Sequence, residues 1–227
     1  MAVWTKLREM LRGEALADDP GNAEAMYLRG MLAYAVGDYD GALELFEGAA
    51  AADPTVARHH AQCGAMRLHA GRLDEAFDAY ETAIRLEPDA AEHWVRMAAV
   101  LDRLDEIERA VEAARCAAAL DPESAEAHGM LASLLLASGE LDEALESARA
   151  GVAADANDAA LHGIVSAIHA LSGEDELAEA SARRALDLDP EEPYAMRSLA
   201  HVLRRSGRDA EAAEYERRID VLPATGE

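Results

Sequence analysis

The histidine and cysteine side chains are the residues of this sequence whose types and spacing come nearest to metal chemistry. His59 and Cys63 stand four residues apart, a spacing at which two side chains on one helical face can bind a metal ion. A stable site needs further ligands, and the sequence has no CxxC pair, no HExxH motif and no Cys/His tetrad. We therefore expect no metal ion and no other cofactor, with Cys63 inside the fold.

Motifs that would indicate an enzyme are missing as well. The sequence contains no glycine-rich phosphate loop after a strand pattern, no GxSxG elbow and no nucleophile paired with a base. Acidic pairs such as Glu191 and Glu192 fall in predicted turns, where we interpret them as solvated surface. The sequence predicts a protein without enzymatic activity.

Composition indicates the fold class and narrows the choice of partners. Alanine makes up nearly a quarter of the chain and aromatic residues only 4%, which favours an all-α fold. The formal charge of −24 argues against nucleic acid and anionic membranes as partners. No segment approaches the roughly 18 apolar residues of a membrane span, and the first 13 residues lack the apolar stretch of a signal peptide. We expect a soluble, cytoplasmic protein.

A 34-residue period organises the whole chain. Five of the seven prolines fall on one grid, each preceded by an acidic residue: Pro20, Pro54, Pro88, Pro122 and Pro190. Ala156 takes the remaining grid point, between Pro122 and Pro190. Proline at these points ends one helix and sets the entry to the next. A second grid marks the turns inside each repeat with Gly37, Gly71, Asp105, Gly139, Gly173 and Gly207. We expect a left-handed residue at each turn, which Asp tolerates better than most residues with a side chain.

Small residues fill three further columns of the same period. One is unbroken: Ala42, Ala76, Ala110, Ala144, Ala178 and Ala212. A second contains Gly30, Gly64, Ala98, Ala132, Ser166 and Ala200. A third contains Ala49, Ala83, Ala117, Gly151 and Ala185, and it breaks at Ile219. Small side chains at a fixed phase allow two helices to approach closely and interlock.

These columns together resemble the tetratricopeptide repeat. In the best repeat, residues 23–54, the pattern is carried by Gly30, Gly37, Ala42, Phe46, Ala49 and Pro54, and Tyr80 holds the place of Phe46 one period later. The resemblance implies an all-α, right-handed α-solenoid of tandem antiparallel helical hairpins, a superhelix of about 13 helices. Residues 1–20 would form a capping helix, or half-repeat, and residues 225–227 a tail. One continuous domain of six repeats would occupy residues 21–224, with boundaries near 23–56, 57–90, 91–124, 125–158, 159–192 and 193–224.

The resemblance also assigns a role to the histidines and a location to the binding surface. His60, His128 and His162 occupy a column that normally holds a large packing residue, so we interpret them as structural. In such arrays the first helix of each hairpin lines a concave groove. Carried over to this sequence, the predicted groove residues are Tyr27, Met31, Tyr34, Gln62, Leu68, His69, Arg96, Arg103, Met130, Leu136, Ile164, Leu171, Arg197, His201, Arg204 and Arg205.

Two hypotheses concern charges in this groove. Arg197, Arg204 and Arg205 lie together in the sixth repeat and would anchor an acidic group of the partner, or else neutralise neighbouring acids such as Asp209. Some relatives bind the C-terminal carboxylate of chaperones through a clamp of Lys, Asn and Arg. At the matching positions here only Arg96 fits, so we expect no clamp of that kind.

The sequence therefore predicts a non-enzymatic protein–protein interaction scaffold that holds a peptide or helix of its partner in the groove. The alternative is a structural module that self-associates weakly through the ends of its array.

Overall fold

The computed structural model describes residues 22–221, which form twelve α-helices and no β-strand. The predicted capping helix (1–20) and tail (225–227) lie outside these residues. None of the twelve helices combines the length and the hydrophobicity that a membrane crossing requires. The chain divides into two compact units at the bond between Glu106 and Ile107.

The first unit contains five of the helices, which follow one another in antiparallel hairpins. They are α1 (Ala23–Ala35), α2 (Tyr39–Ala52), α3 (Ala57–His69), α4 (Leu73–Leu86) and α5 (Ala91–Arg103). Each helix packs against the next one in the chain, and α3 also contacts α5. Phe46 and Met66 are the large side chains of one buried core in this unit, where they pack against Ala42, Cys63 and Ala79.

The second unit contains the other seven helices. They are α6 (Ile107–Leu120), α7 (Ala125–Ser138), α8 (Leu141–Ala154), α9 (Ala159–Leu171), α10 (Asp175–Leu188), α11 (Pro193–Arg205) and α12 (Asp209–Ile219). Hairpins form between α7 and α8, α9 and α10, and α11 and α12, and α9 also packs against α11. Leu199 and Leu203 of α11 are fully buried among alanines of the last two hairpins.

Side chains at the helix starts satisfy backbone N–H groups that have no partner within the helix. The carboxylate of Asp38 accepts from the N–H of Gly41 at 3.0 Å, and the hydroxyl of Ser124 accepts from Ala127 at 3.1 Å. Asn22, Asp158 and Glu192 cap their helices in the same way. Each such cap contributes about 1 kcal/mol.

The turns confirm the predicted left-handed positions. All five grid glycines have φ between 72° and 83°, and Asp105 has φ 61°, the one positive φ among the non-glycine residues of 22–221. Because the N–H of Glu106 bonds the carbonyl of Leu101 at 2.9 Å, the Asp105 turn closes as the glycine turns do. In the first hairpin the same bond joins Asp38 to Ala33, also at 2.9 Å.

The small-residue columns lie where the helices touch. All six alanines of the unbroken column are 0% exposed. Where the second column has glycine, an aromatic ring fills the space. A Cβ atom on Gly30 would stand 2.6 Å from the ring of Phe46, and one on Gly64 would stand 2.8 Å from the ring of Tyr80. In the second unit the positions equivalent to Gly30 and Phe46 are occupied by Ala132 and Ala148, by Ser166 and Ala182, and by Ala200 and Glu216.

Candidate functional site

The histidines of the shared column make a repeated backbone contact. The Nε2 of His60 bonds the carbonyl oxygen of Pro54 at 3.0 Å, and His128 and His162 bond the oxygen six residues before them at 3.0 and 3.1 Å. Trp94 makes the same bond to Pro88 at 2.9 Å. A carbonyl oxygen only accepts, so each Nε2 carries the proton and cannot be a metal ligand at that atom. The structural interpretation of these histidines is confirmed.

His59 and Cys63 are both inside the fold. Cys63 is 3% exposed, and burial raises the pKa of its thiol to about 11. The Nδ1 of His59 lies 3.4 Å from the carbonyl oxygen of Asp53. A neutral thiol is a poor metal ligand because the thiolate is the form that binds. Within residues 22–221 no group of three or more His, Cys, Asp or Glu side chains is placed to hold a metal ion.

The prediction for the acidic pair was wrong for one of its members. Glu191 is exposed, but Glu192 is only 3% exposed and accepts the N–H of Ala195 at 2.5 Å as the N-cap of α11. The carboxylate fits against α9 because Gly163 has no side chain, and its oxygens occupy the space of the missing Cβ. Burial raises the pKa of this carboxyl to about 7.

A groove of about 580 Å³ opens on the first unit. Most of its lining comes from α1, α3 and α5, which are the first helices of their predicted repeats. The lining residues are Met31, Tyr34, Tyr39, Ala61, Gln62, Ala65, Met66, Leu68, His69, Tyr80, Glu92, His93, Arg96 and Arg103.

One edge of the groove is aromatic. The rings of Tyr34 and Tyr39 have centroids 5.7 Å apart, and those of Tyr39 and His69 are 4.3 Å apart. Although they touch one another, Tyr34 is still 48% exposed and Tyr39 41% exposed. We call these three residues the aromatic wall. Exposed rings of this kind supply large contact area to a partner at a low cost in conformational entropy.

Polar groups of two kinds accompany the aromatic wall. The guanidinium of Arg103 donates to the carbonyl oxygen of Leu68 at 2.8 Å. Because Leu68 directly precedes His69, this bond holds a positive charge next to the backbone of the aromatic wall. Deeper in the lining, the hydroxyl of Tyr80 and both ring nitrogens of His93 are buried and find no hydrogen-bond partner among residues 22–221. Burial raises the pKa of Tyr80 to about 12, so its hydroxyl is a donor at neutral pH.

Seven predicted groove residues come together in this lining: Met31, Tyr34, Gln62, Leu68, His69, Arg96 and Arg103. Tyr27 is not part of it. Its ring packs 5.7 Å from Phe46 and 5.5 Å from His59, with the guanidinium of Arg58 5.0 Å above it. The sequence did not predict Tyr39, Tyr80 or His93 as lining residues. The predicted set came only from the first helix of each repeat, which leaves out Tyr39 and Tyr80, and only from selected positions of that helix, which leaves out His93.

The predicted residues of the second unit differ in exposure. Met130 and Leu136 are half-buried, His201 is exposed, and Leu171 is 64% exposed. Ile164 is only 4% exposed, so its side chain is part of the packed interior of this unit.

Two of the three groove arginines predicted in the sixth repeat form ion pairs within the second unit. Arg204 forms ion pairs with Glu216 at 2.7 Å and with Asp209 at 3.0 Å. Arg205 lies 3.3 Å from a carboxylate oxygen of Asp175. Because Arg204 and Arg205 already neutralise acids of their own unit, the structure favours that interpretation over an anchor for a partner.

Comparison with protein-family models identifies the repeat. Residues 110–168 match a model described as Tetratricopeptide repeat. Residues 8–57 and 173–225 match a second model with the same description. Together the two models cover more than two thirds of the chain. No curated protein matches the sequence.

Solved structures show the same fold at low sequence identity. YrrB, a TPR protein with an unusual peptide-binding site, is 22% identical over 82% of this chain and 95% of its own, with a TM-score of 0.64. PilF from Pseudomonas aeruginosa is 16% identical over 87% of this chain and 90% of its own, with a TM-score of 0.75.

A chain of the APC/C hetero-tetramer Cut9–Hcn1 is also similar. It is 16% identical over 94% of this chain but 42% of its own, with a TM-score of 0.81. This chain therefore spans less than half the length of that protein. At these identities the similarity shows the fold alone, and it confirms the predicted all-α solenoid class.

Proposed function

Because this chain belongs to the tetratricopeptide repeat family, whose arrays are in general protein–protein interaction scaffolds, we propose that it is a non-enzymatic scaffold. It binds a peptide or helix of a partner protein in the groove of its first unit. The observation that supports this most is the convergence of seven predicted groove residues on one lining of about 580 Å³.

The size and chemistry of the groove suit a peptide. Its volume is within the range of roughly 300–1,000 Å³ that ligand sites occupy. Ala61 and Ala65 allow a close approach of the partner's backbone, and the aromatic wall offers contact area for a side chain. YrrB, a similar structure, is described as having a peptide-binding site.

The proposal extends to the predicted groove residues of the second unit, such as Met130, Leu136 and Leu171. Their part in binding stays a prediction, as does the cytoplasmic location. The charge of −24 supports a protein partner over nucleic acid or an anionic membrane.

A pull-down from the native lysate tests the groove with two matched variants. The groove variant Tyr34→Glu, His69→Glu adds two carboxylates to the aromatic wall. The control variant Ala52→Glu, Ala119→Glu adds the same charge at exposed positions of α2 and α6. We expect the wild type and the control to capture the same protein and the groove variant to lose it. Equal capture by the groove variant, with its helicity verified by circular dichroism, refutes binding in this groove.

Self-association is the second candidate. Val221, just after α12, is 81% exposed, so a hydrophobic side chain at this position is open to contact with another copy. Light scattering over a concentration series tests it, because weak association raises the mean mass with concentration. A constant monomer mass up to about 100 times the working concentration removes this candidate.

A further inference from the structure

We infer that the groove of the first unit takes a peptide segment in which an aromatic side chain stands close to a carboxylate. This inference rests on the proposed function and adds the chemical class of the partner. The aromatic ring would lie against the aromatic wall, and the carboxylate would meet Arg103. Both halves follow from contacts within the lining.

The aromatic half follows from the exposure of the wall. Tyr34, Tyr39 and His69 form a continuous row of rings, with centroids 5.7 and 4.3 Å apart. Tyr34 and Tyr39 remain 48% and 41% exposed, so their faces and edges are open to a further ring. Aromatic pairs contribute beyond their buried area, which gives an aromatic side chain an advantage over an aliphatic one of similar size.

The carboxylate half follows from the position of Arg103. One of its N–H groups is held by the carbonyl oxygen of Leu68 at 2.8 Å, which fixes the direction of the guanidinium. An arginine has five N–H donors, so four remain for other acceptors. A guanidinium held in this way is prepared for a bidentate bond to a carboxylate. Leu68 and His69 are adjacent in α3, which brings the cation beside the aromatic wall.

The charge of the lining agrees with an acidic partner, although the charge of the chain does not. The lining holds two arginines, Arg96 and Arg103, against one carboxylate, Glu92, in a protein of net charge −24. At physiological ionic strength exposed charges are screened beyond about 8 Å. The charges of the lining therefore determine which side chain binds there, and the other acidic residues of the surface mainly change the association rate.

The lining also contains buried polar atoms that have no hydrogen-bond partner within residues 22–221. These are the hydroxyl of Tyr80, a residue 1% exposed, and both ring nitrogens of His93, a residue 7% exposed. The Nε2 of His93 lies 3.7 Å from Glu87, which is beyond hydrogen-bond length. An unpaired buried polar group costs about 1–3 kcal/mol. Because these atoms lie beneath the groove surface, the choice of partner rests on the aromatic wall and on Arg103.

Selection from a library of displayed 12-residue peptides, with both ends joined to the carrier, tests the inference. We expect the wild type to enrich Phe, Tyr or Trp within about three positions of Asp or Glu. The variant Arg103→Glu should enrich the same aromatic residues beside Lys or Arg. The variant Arg103→Ala should keep the aromatic preference and lose the acidic one. A synthetic copy of an enriched peptide should bind roughly tenfold more weakly when its carboxylate is changed to an amide.

The outcomes separate this inference from the proposed function. A third protein, Ala65→Trp, fills the middle of the groove and serves as the blocked control. If the wild type enriches peptides that the blocked control does not bind, but these are basic or lack an acidic residue, the groove function stands and the acidic partner is wrong. If the blocked control enriches the same peptides, or the wild type enriches none, the groove function fails and the inference fails with it.

Discussion

Replacing Gly64 by alanine should destabilise the first unit, although helix propensity alone predicts the opposite. Alanine is favoured over glycine in a helix interior by about 1 kcal/mol. The added Cβ would stand 2.8 Å from the ring of Tyr80, which is 1% exposed, so the ring or a helix would have to shift. Overpacking of a rigid core group costs about 1–3 kcal/mol. Near the upper end of that range, the net loss is about 1–2 kcal/mol.

Gly129 provides the matched control. It too lies inside a first helix, but a Cβ there would meet Leu161 at 3.4 Å, an ordinary van der Waals contact. Gly129→Ala should therefore stabilise the protein by up to about 1 kcal/mol. Urea unfolding followed by circular dichroism measures both variants.

The sign of the Gly64 effect should reverse when the ring is removed. Tyr80→Ala alone costs about 3–5 kcal/mol, as large-to-small changes at buried aromatic positions do. In that background Gly64→Ala meets no ring and should stabilise by about 1 kcal/mol. The reasoning fails if Gly64→Ala stabilises the wild-type protein as much as Gly129→Ala does, or if its effect is the same in both backgrounds.

Three further predictions concern polar groups. Glu192→Gln should raise stability at pH 8 and flatten its pH dependence. The folded pKa of Glu192, about 7, exceeds the unfolded value, so folding takes up a proton. The contribution of this group to stability is therefore fully present below about pH 4.5 and is lost as pH rises through 7, by on the order of 2–3 kcal/mol. A difference in urea midpoint between the variant and the wild type that is the same at pH 5 and pH 8 would contradict this. His162→Met should cost about 0.5–1 kcal/mol, since the exposed oxygen of Ala156 loses its donor but regains water; a Tm equal to that of the wild type refutes the bond's contribution. Tyr80→Phe should leave Tm unchanged or raise it, because it removes a buried hydroxyl that lacks a partner in the described chain; a clearly lower Tm would mean that the hydroxyl is bonded.

The repeat grids predicted the helical hairpins and their turns because the residue types that recur every 34 positions are those that the backbone requires there. A left-handed turn needs glycine or a residue such as Asp105, and a close contact between helices needs alanine or glycine. The exchange of glycine and alanine in the second column was visible in the sequence, but its cause was not. Only the packing shows that glycine stands where Phe46 or Tyr80 fills the hairpin.

The groove was predicted in part because one helix of each hairpin supplies most of its lining. Tyr39 was missed because it begins α2, on the far side of the turn, where its ring meets the rings of Tyr34 and His69. The burial of Glu192 was missed for a related reason. Whether a carboxylate in a turn is solvated depends on Gly163 of another helix, and sequence distance carries no information about that contact.

The two thiols of the chain differ in exposure, so modification of the buried one can be used to detect opening of the first unit. Cys116 is exposed, whereas Cys63 is 3% exposed with a pKa raised to about 11. A maleimide dye added to the folded protein at neutral pH should therefore attach to Cys116 alone, since the thiolate is the reactive form. Cys63 becomes modified only when its hairpin opens. The rate of that second modification, followed by mass spectrometry, gives the free energy of local opening in the first unit without any engineered probe.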